Sequence, residues 1–195
     1  MAGITNGYCT LEEFKRSKDI TSTDAKRDSV IERIIEGASR DFDTETGRTF
    51  YARTETRYYS IPDGRELSVD DDLLTITTLT NGDANTIAST EYNLLPRNIS
   101  PKFSVKLKGS SSYYWDYDSS GNSEYVISIL GTWGYSATTP SDVRQAVLMI
   151  AEMEYDSRFG TSGGAVTVTG AGVVITPQSW PAKAKMTARK YKRMV

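Results

Sequence analysis

The chain has 195 residues and a mass of 21.6 kDa, which suits one domain or one domain with appendages. Hydrophobic residues make up 38% and charged residues 25%, enough apolar sequence for a core and too much for a disordered polyelectrolyte. There is no histidine and one cysteine, Cys9, so histidine–thiolate zinc sites and histidine-activated serine or cysteine nucleophiles are excluded. No run approaches the roughly 18 apolar residues of a membrane span, and MAGITNGYCT lacks the basic and apolar regions of a secretory leader. The expectation is therefore a protein made in the cytoplasm, with no membrane partner, metal, cofactor or catalytic residue.

Thr10-Leu11-Glu12-Glu13 reads as a capping box that opens a helix over 10–18. Thr23 is placed to cap a second helix over 24–46, with Asp24 near its positive end. Ile31, Ile34, Ile35, Ala38 and Phe42 give that helix one buried stripe, and Gly47 is a left-handed terminator. From Tyr51 the period changes to that of strands. Thr54 to Ser60, Leu73 to Leu79, Glu91 to Leu95, Phe103 to Leu107 and Tyr125 to Trp133 are predicted to build an antiparallel sheet within 51–133. Asn81-Gly82 is a hairpin-type turn signal. A third helix spans 140–159, with Val143, Ala146, Val147, Ile150, Ala151 and Met153 on its apolar face. Residues 165–175 read as a short hairpin. The fold class is α+β: one domain over 1–176, followed by a basic segment over 177–195.

Few residues suggest chemistry. Asp70-Asp71-Asp72 is the only carboxylate run, and without a calcium-loop pattern it reads as the solvated start of a strand. The glycines at 160, 163, 164, 170 and 172 do not form a phosphate-cradling loop. Two features point to macromolecular contact. Tyr113, Tyr114, Trp115 and Tyr117 lie together in a serine-rich loop, either as docking groups or folded back over the sheet. Lys183, Lys185, Arg189, Lys190, Lys192 and Arg193 give residues 181–195 a charge of +6 against −8 for the rest, with Trp180 just ahead. This segment either meets an acidic partner or DNA phosphates, or folds back on the acidic body.

The order of these segments carries a resemblance. IERIIEGASRDFDTETGRTF, then LLTITTLTNGD, EYNLLPRN and ILGTWGYSATTPSDVRQAVLMIAEMEY, with prolines before Lys-Tyr-Lys-Arg, resembles the head–tail connector (adaptor) proteins of long-tailed phages over nearly the whole chain. The resemblance implies a structural virion protein at the head–tail interface: a ring, expected to have twelve copies, beneath the portal protein. Such a ring would extend the channel for packaged double-stranded DNA and dock the next neck (stopper) or tail protein. It also suggests that the basic segment is loose in the free protein and orders on the portal. Trp180, Lys183, Lys185, Arg189, Lys190, Lys192 and Arg193 form the expected portal-contacting set, and Tyr113, Tyr114, Trp115 and Tyr117 the face for a neck partner or neighbouring subunit. The rival readings are a sequence-independent DNA-binding module using the basic tail and a small carboxylate enzyme on the sheet.

Overall fold

The computed structural model describes residues 3–159, 167–168, 174–175 and 179–193. Among the described residues the fold is α+β, with four helices and a five-stranded antiparallel sheet. The chain divides into two compact units: residues 1–47 with 139–195, and residues 48–138.

The first unit is helical. Helix α1 (Leu11–Ser17) carries the complete capping box of Thr10 and Glu13 and buries Phe14. Helix α2 (Ala25–Thr46) buries Ile31, Ile34, Ile35, Ala38 and Phe42, the stripe that the spacing predicts. Its N-cap is Asp24, whose carboxylate accepts from the Lys26 amide, and not Thr23. A carboxylate is the better partner for the exposed amides at the positive end of a helix. Gly47 closes the helix at φ 64° and donates to the Asp43 carbonyl at 2.8 Å. Helix α3 (Ser141–Phe159) buries Val143, Ala146, Val147, Ile150, Ala151 and Tyr155, with Met153 only half-buried. Tyr155 takes the inward position because its ring packs edge-on to Phe14 at 5.3 Å, beneath the Arg27 guanidinium.

The fourth helix, α4 (Ala182–Tyr191), corrects the expectation of a loose basic appendage. Ala184, Ala188 and Tyr191, at i, i+4 and i+7, are buried, and the helix packs on α3 and α2. Trp180 stacks on Phe42, with ring centroids 6.1 Å apart and planes at 11°. Beyond the helix, the Arg193 amide donates to the Thr46 carbonyl at 2.8 Å, satisfying one of the open acceptors at the end of α2. Of the predicted 165–175 hairpin, the described part is an antiparallel pairing of Thr167–Val168 with Val174–Ile175; the remainder lies outside the described residues.

The second unit is the sheet: β1 (Arg53–Tyr59), β2 (Glu66–Thr80), β3 (Tyr92–Leu95), β4 (Lys102–Leu107) and β5 (Ile127–Trp133), ordered β1-β5-β2-β4-β3. Its core gathers Tyr59, Leu67, Val69, Leu73, Leu79, Val105, Leu107, Ile127, Ile129 and the fully buried Trp133. Strand β2 is far longer than the Leu73–Leu79 segment that alternation marks. Its register against β4 shifts between Ser68 and Leu73, so the three aspartates occupy a bulge within the strand. Asn81-Gly82 does not join paired neighbours, because β2 lies between β5 and β4. It closes a small local turn bridged by Thr80 and Thr86.

Candidate functional site

The aspartates at the bulge pass from an exposed Asp70 through a half-buried Asp71 to a buried Asp72, so the run is not simply a solvated strand entry. Asp72 is fully buried, with its Oδ1 2.6 Å from Arg48 Nη1. Asp71 Oδ2 lies 2.7 Å from Arg53 and 2.8 Å from Arg57, and Asp70 Oδ1 accepts from Arg57 at 3.0 Å and from the Tyr59 hydroxyl at 2.6 Å. Arg57 also donates to Glu55 and lies over the Trp133 ring, 4.4 Å from its centroid. Burial alone would raise the Asp70 carboxyl, but the Tyr59 hydrogen bond and the Arg57 charge outweigh it and hold the group below its ordinary value. Glu55 behaves alike: burial raises it, and the bonds and charges of Arg57 and Arg53 more than reverse that. These carboxylates are consumed by arginines, so the cluster fixes the fold of the sheet and presents no free acid–base pair. No group among the described residues has the makings of a metal site. Cys9 is buried, and burial pushes its thiol up to about 12, out of the range of a nucleophile.

The aromatic loop is rigidly held, and it splits into two kinds of residue. Trp115 is buried in the sheet core and Tyr113 packs against it, whereas Tyr114 and Tyr117 are 64% and 59% exposed. Trp115 is thus a core residue and not a surface anchor; among the described residues its indole N–H finds no acceptor. Two residues that sequence reasoning passed over position the loop. Arg65 Nη2 donates to the carbonyls of Lys108, Ser111 and Tyr113, and its guanidinium sits 4.7 Å from the Tyr114 ring centroid. The buried Asn81 donates from Nδ2 to the Tyr114 carbonyl at 2.8 Å and accepts from the Asp116 amide at 3.2 Å. Gly82 is required beside it, because a Cβ there would lie 1.9 Å from the Asp116 carbonyl.

The basic segment also divides. Lys190 pairs with Asp142 at 2.7 Å and Lys192 with Glu45 at 3.3 Å, and Trp180 is spent on Phe42. Lys183, Lys185 and Arg189 are exposed and, among the described residues, have no carboxylate partner. They surround Met186, which is 70% exposed. Helical geometry places Met186 opposite the buried Ala184, Ala188 and Tyr191, so α4 shows the solvent an apolar tip ringed by cations. Met186 carries no charge signal and was missed for that reason.

A third surface follows from the sheet register. Thr54, Thr132 and Thr75 form one cross-strand row, Thr56, Leu130 and Thr78 the next, and Tyr58, Ser128 and Thr80 the third. All nine are exposed or half-buried, and none is charged.

No family model matches the chain, and no curated protein matches it. Among solved structures, the chain is similar to one in the neck of an empty GTA particle computed with C6 symmetry. The TM-score is 0.67 at 14% identity, over 100% of this chain and 94% of that one. It is similar to a chain in the neck of the native GTA particle computed with C12 symmetry, with a TM-score of 0.61 at 15% identity and the same coverage. A chain of the virion of the native gene transfer agent particle gives 0.62 at 15% identity. At such identities the likeness is one of fold, and the fold it shows is that of chains from the neck of a phage-like particle.

Proposed function

We propose that this chain is a structural subunit of the neck of a phage-like particle, forming a ring beneath the portal and acting as a head–tail adaptor without enzymatic activity. The observation that carries this reading is the fold match, which spans all of this chain and 94% of a neck chain, including both units. The C12 symmetry of one neighbouring particle supports twelve copies. A ring needs two different faces that meet head to tail and close by rotation.

In this reading the face of α4 bearing Lys183, Lys185, Met186 and Arg189 docks on an acidic surface of the portal, with Trp180, Lys190, Lys192 and Arg193 holding the helix in place. Tyr114 and Tyr117, fixed by Arg65 and Asn81, face the next neck or tail protein or a neighbouring subunit. The uncharged rows of β1, β5 and β2 suit a wall past which double-stranded DNA slides, since they offer phosphates no cation. The test is to mix the protein with a portal ring and examine the product by electron microscopy. A discrete added ring is expected, lost on K183E/K185E/R189E with the fold intact. Normal attachment of that variant removes the docking assignment, and no added ring from the wild-type protein removes the adaptor reading.

The same unpaired cations favour a second reading, sequence-independent DNA binding by α4. It requires the free protein to bind duplex DNA with a steep salt dependence that the same variant abolishes.

A further inference from the structure

The exposed side of α2 carries an arrangement of its own. Arg33, Gly37, Asp41 and Glu45 stand four residues apart along one ridge of the helix, all four are exposed, and only the last of them, Glu45, meets a lysine, Lys192. Gly37 sits near the middle of a 22-residue helix, where glycine weakens the helix relative to alanine. Nothing inside the protein asks for it: a Cβ built there meets nothing within 4 Å. The Arg33 guanidinium turns back to the Ser29 carbonyl at 3.3 Å and, among the described residues, has no carboxylate partner. Asp41 lies beside Glu154 of α3, and neither has an ion-pair or hydrogen-bond partner among the described residues. Burial, and then the Asp41 charge, push the Glu154 carboxyl above its ordinary range, with Arg158 opposing least. Along the ridge an arginine, a notch and an aspartate crowded by a second carboxylate therefore follow one another at equal steps.

We propose that α2 pairs with α2 of a second copy of this chain, antiparallel and crossing at Gly37, so that Arg33 of each copy meets the partner's Asp41. The spacing selects the orientation. Arg33 is four residues before the crossing point and Asp41 four after it. An antiparallel crossing sets unlike charges together twice, and a parallel one sets Arg33 on Arg33 and Asp41 on Asp41. Ridges of residues four apart interdigitate at about 50°, and a glycine at the crossing lets the two backbones approach closely. The contact is isologous, each copy offering the same patch. It makes a closed pair, so it belongs to the free subunit and is independent of the neck reading. A single helix crossing buries less than a standard interface, so the pair is weak and sensitive to salt.

Sedimentation velocity on the full chain, from low to high micromolar concentration, tests this. The wild-type protein is expected to pass from monomer to dimer, and R33E to weaken that dimer about tenfold or more. R33E/D41R, which swaps the charges, restores it. G37A gives a discriminating result: it raises the thermal stability of the monomer, because alanine favours helix, and weakens the dimer. Circular dichroism checks that each variant is folded. A protein that stays monomeric throughout overturns the proposal, as does a dimer that R33E and G37A leave unchanged. Failure of the charge swap to restore pairing overturns the antiparallel geometry. Ring-sized species that ignore all three variants place the self-contact elsewhere and leave the neck reading standing.

Discussion

Each unit of this protein holds ion pairs at more than one depth, and the contrast is sharpest between the C-terminal rim pairs of the helical unit and the arginine–aspartate cluster of the sheet. In the helical unit, Lys190–Asp142 and Lys192–Glu45 join side chains that are 37% to 63% exposed, at the rim of a core made of isoleucine, alanine and aromatic rings. In the sheet unit, Arg48 and Asp72 meet with side chains only 13% and 0% exposed, and Arg57 bridges two aspartates while covering Trp133. An ion pair at the rim can be removed and replaced by water. One inside the sheet cannot, because losing either partner strands the other in a poor solvent. The rim pairs Lys190–Asp142 and Lys192–Glu45 can thus be exchanged for water, whereas Arg48, Arg57 and their aspartates are committed to the shape of the sheet.

The largest effect that separates the units is expected from Asp72→Ala. It leaves Arg48 buried without its carboxylate and should cost about 3–5 kcal/mol of sheet stability in urea unfolding followed by tryptophan fluorescence. A cost below about 1 kcal/mol would erase the contrast. Acid sharpens it. Asp70 and Glu55 are depressed in the fold, so their contribution is present above the unfolded carboxylate range and is lost as pH falls through the folded values. In the helical unit Glu13 and Asp142 are depressed as well, but Glu154 is raised and moves the other way, offsetting part of their loss. The near-ultraviolet dichroism of Trp115 and Trp133 should therefore fade below the ordinary carboxylate range ahead of the helical far-ultraviolet signal. Simultaneous loss would tie the units into one cooperative body. Asn81→Ala removes both bonds of a buried amide and should cost about 2 kcal/mol, with faster amide exchange confined to residues 109–123. The smallest change is Lys192→Ala, within about 0.5 kcal/mol by thermal unfolding, because its pair with Glu45 is more than half exposed on both sides.

Much of the helical unit is legible in the sequence because its determinants are local. A capping box spans four residues, a buried stripe repeats within each turn, and Gly47 marks its own end. The inward face of α4 is equally local, but Ala184, Ala188 and Tyr191 are small or polar-tipped, and the cations between them mask the stripe. The bulge of Asp70 to Asp72 was not legible. Its partners Arg48, Arg53 and Arg57 stand on other segments, and only the register of β2 against its neighbours brings them together. Asn81-Gly82 does turn the chain, into an antiparallel bridge of Thr80 with Thr86, but the loop some 35 residues on that also holds it is not legible for the same reason. Of the expected contact residues, exposure separates Tyr114 and Tyr117 from Trp115, a distinction that composition does not carry.

The bond from the Arg193 amide to the Thr46 carbonyl laces the stretch after α4 to the last turn of α2, beside Gly47. The glycine turns the chain by a purely local property, but the carbonyl just before it takes its donor from a segment far along the sequence. The end of α2 is therefore fastened from two ranges at once. Whatever lifts α4 from its seat also loosens that last turn, so a pull on one helix is felt at the hem of another.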